Sequence, residues 1–426
     1  MPRDFTALFR SGEPVVLDGG MGTMLMAAGL LFGDPPELWN VDPVKRALVA
    51  AVHRGYVEAG AQVILTNSFG GSPFRLKLHN LQDRTFELNK AAAELARAEA
   101  GERAFVAGSV GPSGELFEPM GGLTYAAAVE GFAAQAAGLA AGGVDAFWVE
   151  TMSDLQEVRA AVAGCRRAAP ALPVVATMTF DTRGFTMMGV SPEEAANALA
   201  ELDLAALGGN CGNGPDEIEA VIFAMHRARP DLPLVAKSNA GMPQVVGDRT
   251  VYGGTPEVMA ECARRLRAFG ATGIGACCGS TPAHIAAMAA ALRDAPPLDP
   301  AALTLAAPLA ERKEPSRRRG RRGAEEAAVT STYQILYWHD IPLQVRARCE
   351  GGRASAALPP RFQEAVDSAA MAAGLIGSDA YTEAMRWGEQ AERPGSPQAV
   401  AAAVAAELDA AHPAVDWRAT VRKIKG

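Results

Sequence analysis

Thr272-Gly273-Ile274-Gly275-Ala276-Cys277-Cys278-Gly279-Ser280-Thr281-Pro282-Ala283-His284 runs from a short apolar segment into two adjacent cysteines flanked by glycine and alanine. The same arrangement occurs upstream, where a candidate strand at 205–209 ends in Gly209-Asn210-Cys211-Gly212. Comparable apolar runs occur at 14–17, 62–66, 104–108, 146–150, 174–179 and 234–237. Between them lie Ala-, Leu-, Glu- and Arg-rich stretches such as 85–100, 155–167 and 215–229, with apolar positions three and four apart. Strands alternating with helices predict a parallel sheet covered by helices. Eight such units in about 295 residues predict a (β/α)8 TIM barrel, with its active site where strands end and βα loops begin. The chain itself offers a check on that rule. Asp18 follows the first run, Asn67 the second, Ser109 the third, Glu150 the fourth, Cys211 the sixth, Asn239 the seventh, and Cys277 with Cys278 the eighth. All of them are expected at one mouth of the barrel.

Three convergent thiols suit a soft metal ion, and zinc in particular. Three protein ligands with an exchangeable fourth position make a catalytic zinc site, whereas four fixed ligands make a structural one. A substrate thiol entering the open position would be held as a thiolate, the form that attacks carbon. A vicinal disulfide between Cys277 and Cys278 is the competing reading, but its ring is strained, and six cysteines in 426 residues do not suggest a secreted disulfide framework. Cys165, Cys262 and Cys349 read as small buried hydrophobes. The opening segment Asp18-Gly19-Gly20-Met21-Gly22-Thr23 is either an ordinary tight turn or a cradle whose backbone N–H groups hold a carboxylate while Asp18 receives an ammonium. Glu150 is either a carboxylate at a helix N-terminus or a second ammonium contact. An amino acid with a thiol tail would engage all three features.

The remaining composition bounds the function. A chain this long should divide into more than one unit, since single cores stop growing near about 250 to 300 residues. A net charge of -8 gives no global attraction to nucleic acid or anionic membrane. No run of about 18 apolar residues is available to span a bilayer, and no signal-like segment follows Met1-Pro2-Arg3-Asp4, so a cytoplasmic location is expected. The division expected is a barrel over 1–300, a basic disordered linker over 301–330 carrying Arg317-Arg318-Arg319-Gly320-Arg321-Arg322, and a small α+β domain over 331–426. In the last, Tyr333-Gln334-Ile335-Leu336-Tyr337-Trp338 reads as a strand and 361–373 as an amphipathic helix, with the Trp and Tyr residues read as core.

Asp18-Gly19-Gly20-Met21-Gly22-Thr23, Thr66-Asn67-Ser68-Phe69, Gly108-Ser109-Val110-Gly111-Pro112, Glu150-Thr151, Gly209-Asn210-Cys211, Asn239-Ala240-Gly241 and Cys277-Cys278-Gly279-Ser280-Thr281-Pro282 together resemble the homocysteine S-methyltransferase family. The resemblance implies that Cys211, Cys277 and Cys278 ligate zinc and that homocysteine is the substrate. It further implies that Asp18 and Glu150 hold the substrate amino group, with Gly19, Gly20, Thr23, Asn67, Ser109 and Asn239 in the substrate site. Asn239 is expected to fill the fourth zinc position until homocysteine displaces it. Betaine enzymes of this family surround the quaternary ammonium with aromatic rings. Here Gly70-Gly71 follows Phe69 and Thr151 follows Glu150, where those enzymes carry tyrosines. The sequence is more similar to the homocysteine module of cobalamin-dependent methionine synthase. Three functions are therefore weighed: a methyltransferase served by a methyl-corrinoid on a separate protein, one served by betaine or S-methylmethionine, and a non-catalytic zinc- or thiol-binding scaffold. The tail resembles a small bacterial domain known only as a virulence factor domain and is expected to be accessory.

Overall fold

The computed structural model describes residues 4–31, 33–181, 184–246, 249–305, 330–349, 352–373 and 384–425. Positions 306–329 of the expected linker, with its arginine run, lie outside the described residues. The chain divides into two compact units, Met1–Arg312 and Lys313–Gly426.

The first unit is a parallel barrel. Its strands are β1 (Val15–Val16), β2 (Val63–Leu65), β3 (Phe105–Val110), β4 (Ala146–Met152), β5 (Val174–Met178), β6 (Ala206–Cys211) and β7 (Leu234–Ser238). An antiparallel hairpin, β8 (Pro243–Val246) and β9 (Arg249–Tyr252), precedes the last barrel strand, β10 (Ala271–Ala276). The sheet runs β1-β10-β7-β6-β5-β4-β3-β2, and a parallel bridge between Leu17 and Val63 closes the ring. Each of the eight strand candidates in the sequence corresponds to one barrel strand. The helices are equally regular: Thr85–Ala100 matches its expected span, and Leu155–Ala168 and Pro215–Ala228 differ from theirs by one residue at the C-terminus. Several start with proline in the first turn, where its missing N–H leaves no bond unmade, as at Ser72-Pro73, Ser191-Pro192 and Thr255-Pro256.

Period-two alternation sorts the strand residues into two cores. Val15, Leu17, Val63, Leu65, Phe105, Ala107, Trp148, Val175 and Val235 pack together inside the ring, where Phe5 of the N-terminal helix and Phe9 just after it join them. Val16, Ile64, Val106, Phe147, Val149, Ala176, Leu207, Ala236 and Ile274 face the helices. The inward parity continues toward the strand C-termini as Ser109, Glu150, Thr177, Asn210 and Lys237. The interior thus changes from an apolar floor to a polar layer directly below the mouth.

The second unit is an antiparallel sheet with helices. Its strands are β11 (Thr330–Trp338), β12 (Ile341–Cys349), β13 (Gly352–Ala357), β14 (Met385–Trp387) and β15 (Ala391–Pro394). They are ordered β13-β12-β11-β14, with β15 also on β11. Val345 and Ala347 pack with Val400, Ala401 and Val404 of helix Pro397–Ala411. Trp338 and Ile341 pack with Phe362 and Val366 of helix Pro360–Ala373. Trp338 is core, as expected. Trp387 is not: it is 37% exposed, with the Arg346 guanidinium 3.7 Å above its ring. Its partner across the ladder is Leu336, so strand parity puts it on the face opposite the helices.

Candidate active site

Cys211 ends β6, and Cys277 and Cys278 follow β10, two strands away around the ring. Their sulfurs all lie within 4.8 Å of one another, with Cys211 and Cys277 at 3.0 Å. Cys211 has φ +60°, a left-handed conformation that an L-residue holds only where its surroundings enforce it. Asn210 is the enforcing side chain. Its Oδ1 accepts from Thr151 N (2.8 Å) and Thr177 Oγ1 (2.6 Å), and its Nδ2 donates to Thr151 Oγ1 (2.7 Å) and to Cys211 Sγ (3.4 Å). Interaction with the Cys211 and Cys277 thiols pulls the Cys278 thiol far down, whereas interaction with the same two neighbours, together with burial, pushes the Cys211 thiol up. Without a cation the three sulfurs share protons rather than ionise together.

Asn239 braces the two cysteine loops. Its Oδ1 accepts from Cys278 N (3.0 Å) and its Nδ2 donates to Gly212 O (2.7 Å). Glu150 lies inside β4 rather than after it, and Ser109 Oγ donates to its Oε1 at 2.5 Å. Burial raises the Glu150 carboxyl to about 7, against the lowering effect of Lys237, with Cys277 adding to the rise.

Asp18 differs from its expected state. Instead of presenting open oxygens, it takes Lys237 Nζ on Oδ1 (2.6 Å) and Leu65 N on Oδ2 (2.7 Å). An ammonium from the protein itself already occupies the carboxylate. Lys237 was read from sequence only as the end of a strand. Its signal was a charged residue closing an apolar run that would be buried on both sides, where only a facing carboxylate could satisfy it.

The glycine turn is fastened to the cysteine loop. Gly20 N donates to Ser280 Oγ (2.9 Å), Gly279 N donates to Thr23 Oγ1 (3.2 Å), and Tyr56 Oη donates to the carbonyls of Gly20 (3.1 Å) and Ser280 (3.2 Å). A Cβ on Gly20 would come within 2.6 Å of Cys277 O, and one on Gly19 within 2.5 Å of Ser280 Oγ, so side chains there would push the loops apart. The Gly20 amide, read as a carboxylate donor, is thus spent on Ser280. Asn67 is turned toward the 36–40 segment, donating to Pro36 O (2.8 Å) and Asn40 Oδ1 (3.0 Å).

A ring of thiols at the strand ends, beside a buried carboxylate and a buried lysine, is the setting in which the comparisons with known proteins fall. Residues 15–292 match the family model for homocysteine S-methyltransferase. The chain belongs to the homocysteine S-methyltransferase family, and so to the methyltransferases. Residues 336–420 match the virulence factor family model. The methionine synthase of Mycobacterium tuberculosis is 34% identical over 297 residues, 66% of this chain and 25% of that protein. The methionine synthase of Mycobacterium leprae is 33% identical over 294 residues, covering 65% and 24%. The chain therefore spans about a quarter of the length of these relatives. The metallated form of the Escherichia coli homocysteine methyltransferase MmuM superposes with a TM-score of 0.55 at 27% identity, over 67% of this chain and 98% of that one. Within this homocysteine S-methyltransferase family member, no helix among the described residues is long and apolar enough to cross a membrane.

Proposed function

We propose that the barrel forms methionine by transferring a methyl group to homocysteine, with zinc held by Cys211, Cys277 and Cys278 and a methyl-corrinoid on a separate protein as donor. The observation that carries this reading is the convergence of three sulfurs at one end of the barrel, beside Glu150. The donor set fits the metal in kind: three cysteine sulfurs, ligands that zinc favours, lie within 4.8 Å of one another, and opening the 3.0 Å Cys211–Cys277 pair to the edge of about 3.8 Å of a tetrahedron with bonds of about 2.3 Å would seat the ion, while Asn210 supplies a hydrogen bond to Cys211 from outside the set. When bound, zinc supplies a Lewis acid that keeps a fourth sulfur as thiolate near neutral pH.

The protein's own groups do the rest. Glu150, ionised, receives the substrate ammonium. Lys237 neutralises Asp18, so the polar layer presents one net carboxylate and not two. Asn239 fixes the spacing of the two cysteine loops, which sets the direction from which the substrate sulfur meets a methyl carbon. Transfer is an in-line displacement that needs alignment and no protein nucleophile.

Two features favour a large donor over a small onium. A side chain at Gly70 would meet Glu37 Oε1 at 2.9 Å, and one at Gly71 would meet Asn89 Oδ1 at 2.4 Å, so an aromatic cage has no room to form there. Phe69, Leu116, Met120, Met187, Met188 and Met242, on the loops after β2, β3, β5 and β7, are all exposed. Flexible methionines at a rim suit a protein surface that must re-pack on docking.

The test incubates the zinc-loaded protein with homocysteine and, separately, a methyl-corrinoid protein, betaine and S-methylmethionine, and measures methionine. Betaine turnover matching the best donor would overturn the donor assignment. In parallel, Cys278→Ala is expected to lose zinc and activity while circular dichroism still reports a folded barrel. Full activity in that variant would place the metal elsewhere.

A further inference from the structure

Arg346 on β12 is exposed, yet its guanidinium is held in place. Gln334 Oε1 on β11 accepts from Arg346 Nη2 (2.7 Å) and Nε (3.3 Å), and Gln334 Nε2 donates in turn to Gly388 O (2.9 Å) just after β14. The Trp387 ring, 3.7 Å from the guanidinium, completes the seat. All of these partners are neutral. Elsewhere in the unit ordered arginines are matched to carboxylates, Arg361 to Asp409 and Arg393 to Glu407. Among the described residues neither Arg346 nor Arg348 has such a match. Arg348, also exposed, stands opposite Arg353 of β13 in the ladder, and like charges directly opposite destabilise a sheet. Glu392 pairs in register with Thr332, which itself pairs with Arg348, so the acid stands two strands from that arginine. Ordering a long cationic side chain costs entropy, and here no counter-charge of the unit itself compensates it.

The two arginines share a groove of about 600 Å³ with Thr332, Gln334, Gln344 and Trp387. That volume lies in the range that encloses a whole small ligand, more than a lone ion fills. Alternate residues of a strand are about 7 Å apart, so two long side chains can meet on one tetrahedral anion. Guanidinium forks match the oxygens of such an anion. A phosphate monoester carries close to two negative charges near neutral pH, one for each arginine. We propose that this face binds a phosphate monoester of nucleotide size, with the phosphate on Arg346 and Arg348 and the organic part along Gln344 and Trp387. The site shares no residue with the methyl-transfer centre.

The test titrates the full chain with adenosine monophosphate by calorimetry, with adenosine and orthophosphate as separate arms. The nucleotide should bind with a Kd below about 1 mM. Arg346→Gln and Arg348→Gln should each weaken it about tenfold or more, while thermal melts report an unchanged fold. Arg393→Gln, which loses only its contact with Glu407, should leave the affinity within about twofold. No binding up to about 5 mM nucleotide, or an affinity that survives both substitutions in the groove, overturns the proposal. So does adenosine binding as tightly as its monophosphate, since the arginines would then be idle. Orthophosphate matching the nucleotide overturns it as well, because the groove would then read no organic part. A single-stranded DNA oligomer bound about a hundredfold more tightly than the nucleotide, and lost in the same variants, would overturn it in favour of a nucleic acid strand.

Discussion

Burial holds the Glu150 carboxyl at about 7, while an unfolded glutamate titrates near 4.5. The folded barrel therefore binds this proton more tightly than the unfolded chain does. The destabilisation that follows is absent below pH about 4.5, grows as pH rises toward 7, and is constant above it; at roughly 1.36 kcal/mol per pH unit it amounts to at most about 3 kcal/mol. Glutamine carries no charge and keeps a carbonyl for Ser109 Oγ. Metal-free Glu150→Gln is thus expected to be more stable than wild type by about 1–3 kcal/mol at pH 8 and equally stable at pH 4.5. Urea denaturation at both pH values checks this. The same variant should bind homocysteine about a hundredfold more weakly by calorimetry, having lost the partner of the ammonium. Equal stability at pH 8 would mean that the carboxylate is better solvated than its burial indicates. An unpaired carboxylate held in a dry layer is what a site for a cationic group requires, and its cost is relieved when that group arrives.

Among the elements, β7, β10 and β1 show how strand register builds the polar layer. Lys237 pairs in register with Gly275 of β10, and its side chain continues to Asp18 beyond β1. Gly275 allows this close approach: a Cβ there would lie 2.6 Å from Leu17 Cβ and 2.7 Å from Asp18 O. The pair is nearly inaccessible, at 4% and 3% side-chain exposure, so loss of one partner strands the other. Lys237→Met should cost about 3–5 kcal/mol, whereas the double change Lys237→Met with Asp18→Leu should recover most of it, because a buried pair replaced by apolar groups is often neutral. Thermal denaturation of the three variants closes the cycle. A single change as mild as the double one would show that water reaches Asp18. The elements differ in how far the sequence disclosed them. Barrel strands and helices were legible because each repeats one pattern, an apolar run followed by an amphipathic stretch. The hairpin was not, since two four-residue strands within one βα connection fall below that pattern. The thiol trio was legible because cysteine pairs at strand ends are rare. Lys237 was not, because its meaning comes from a contact with the residue after β1 that no local spacing encodes. The sequence marks Asp18 as a candidate ammonium contact but gives no sign there of the lysine of the same chain that its carboxylate takes.

At the scale of the molecule, each unit has its own hydrophobic cluster and its own sheet, and the barrel ring closes within its own strands. The residues of the candidate active site all belong to the first unit. The segment past the last barrel helix still belongs to that unit: Leu303 and Leu305 pack against the barrel core, and Arg265 Nη2 donates to Thr304 O (2.8 Å). A chain ended at residue 305 should therefore fold, hold one zinc per molecule, and methylate homocysteine with kcat/KM within about twofold of the full protein for the methyl-corrinoid donor. Ending it at residue 300 removes two partly buried leucines and a carbonyl that satisfies Arg265, and should cost about 2 kcal/mol. Thermal melts, metal analysis and methionine formation on the two truncated chains separate these outcomes. If the chain ended at 305 kept its zinc and its melting temperature yet lost more than about tenfold in turnover, the second unit would be contributing to catalysis and not only travelling with it. The face carrying Arg346 stacked on Trp387 would then be the first place to look for its contribution, since buried Trp338 is already accounted for by packing.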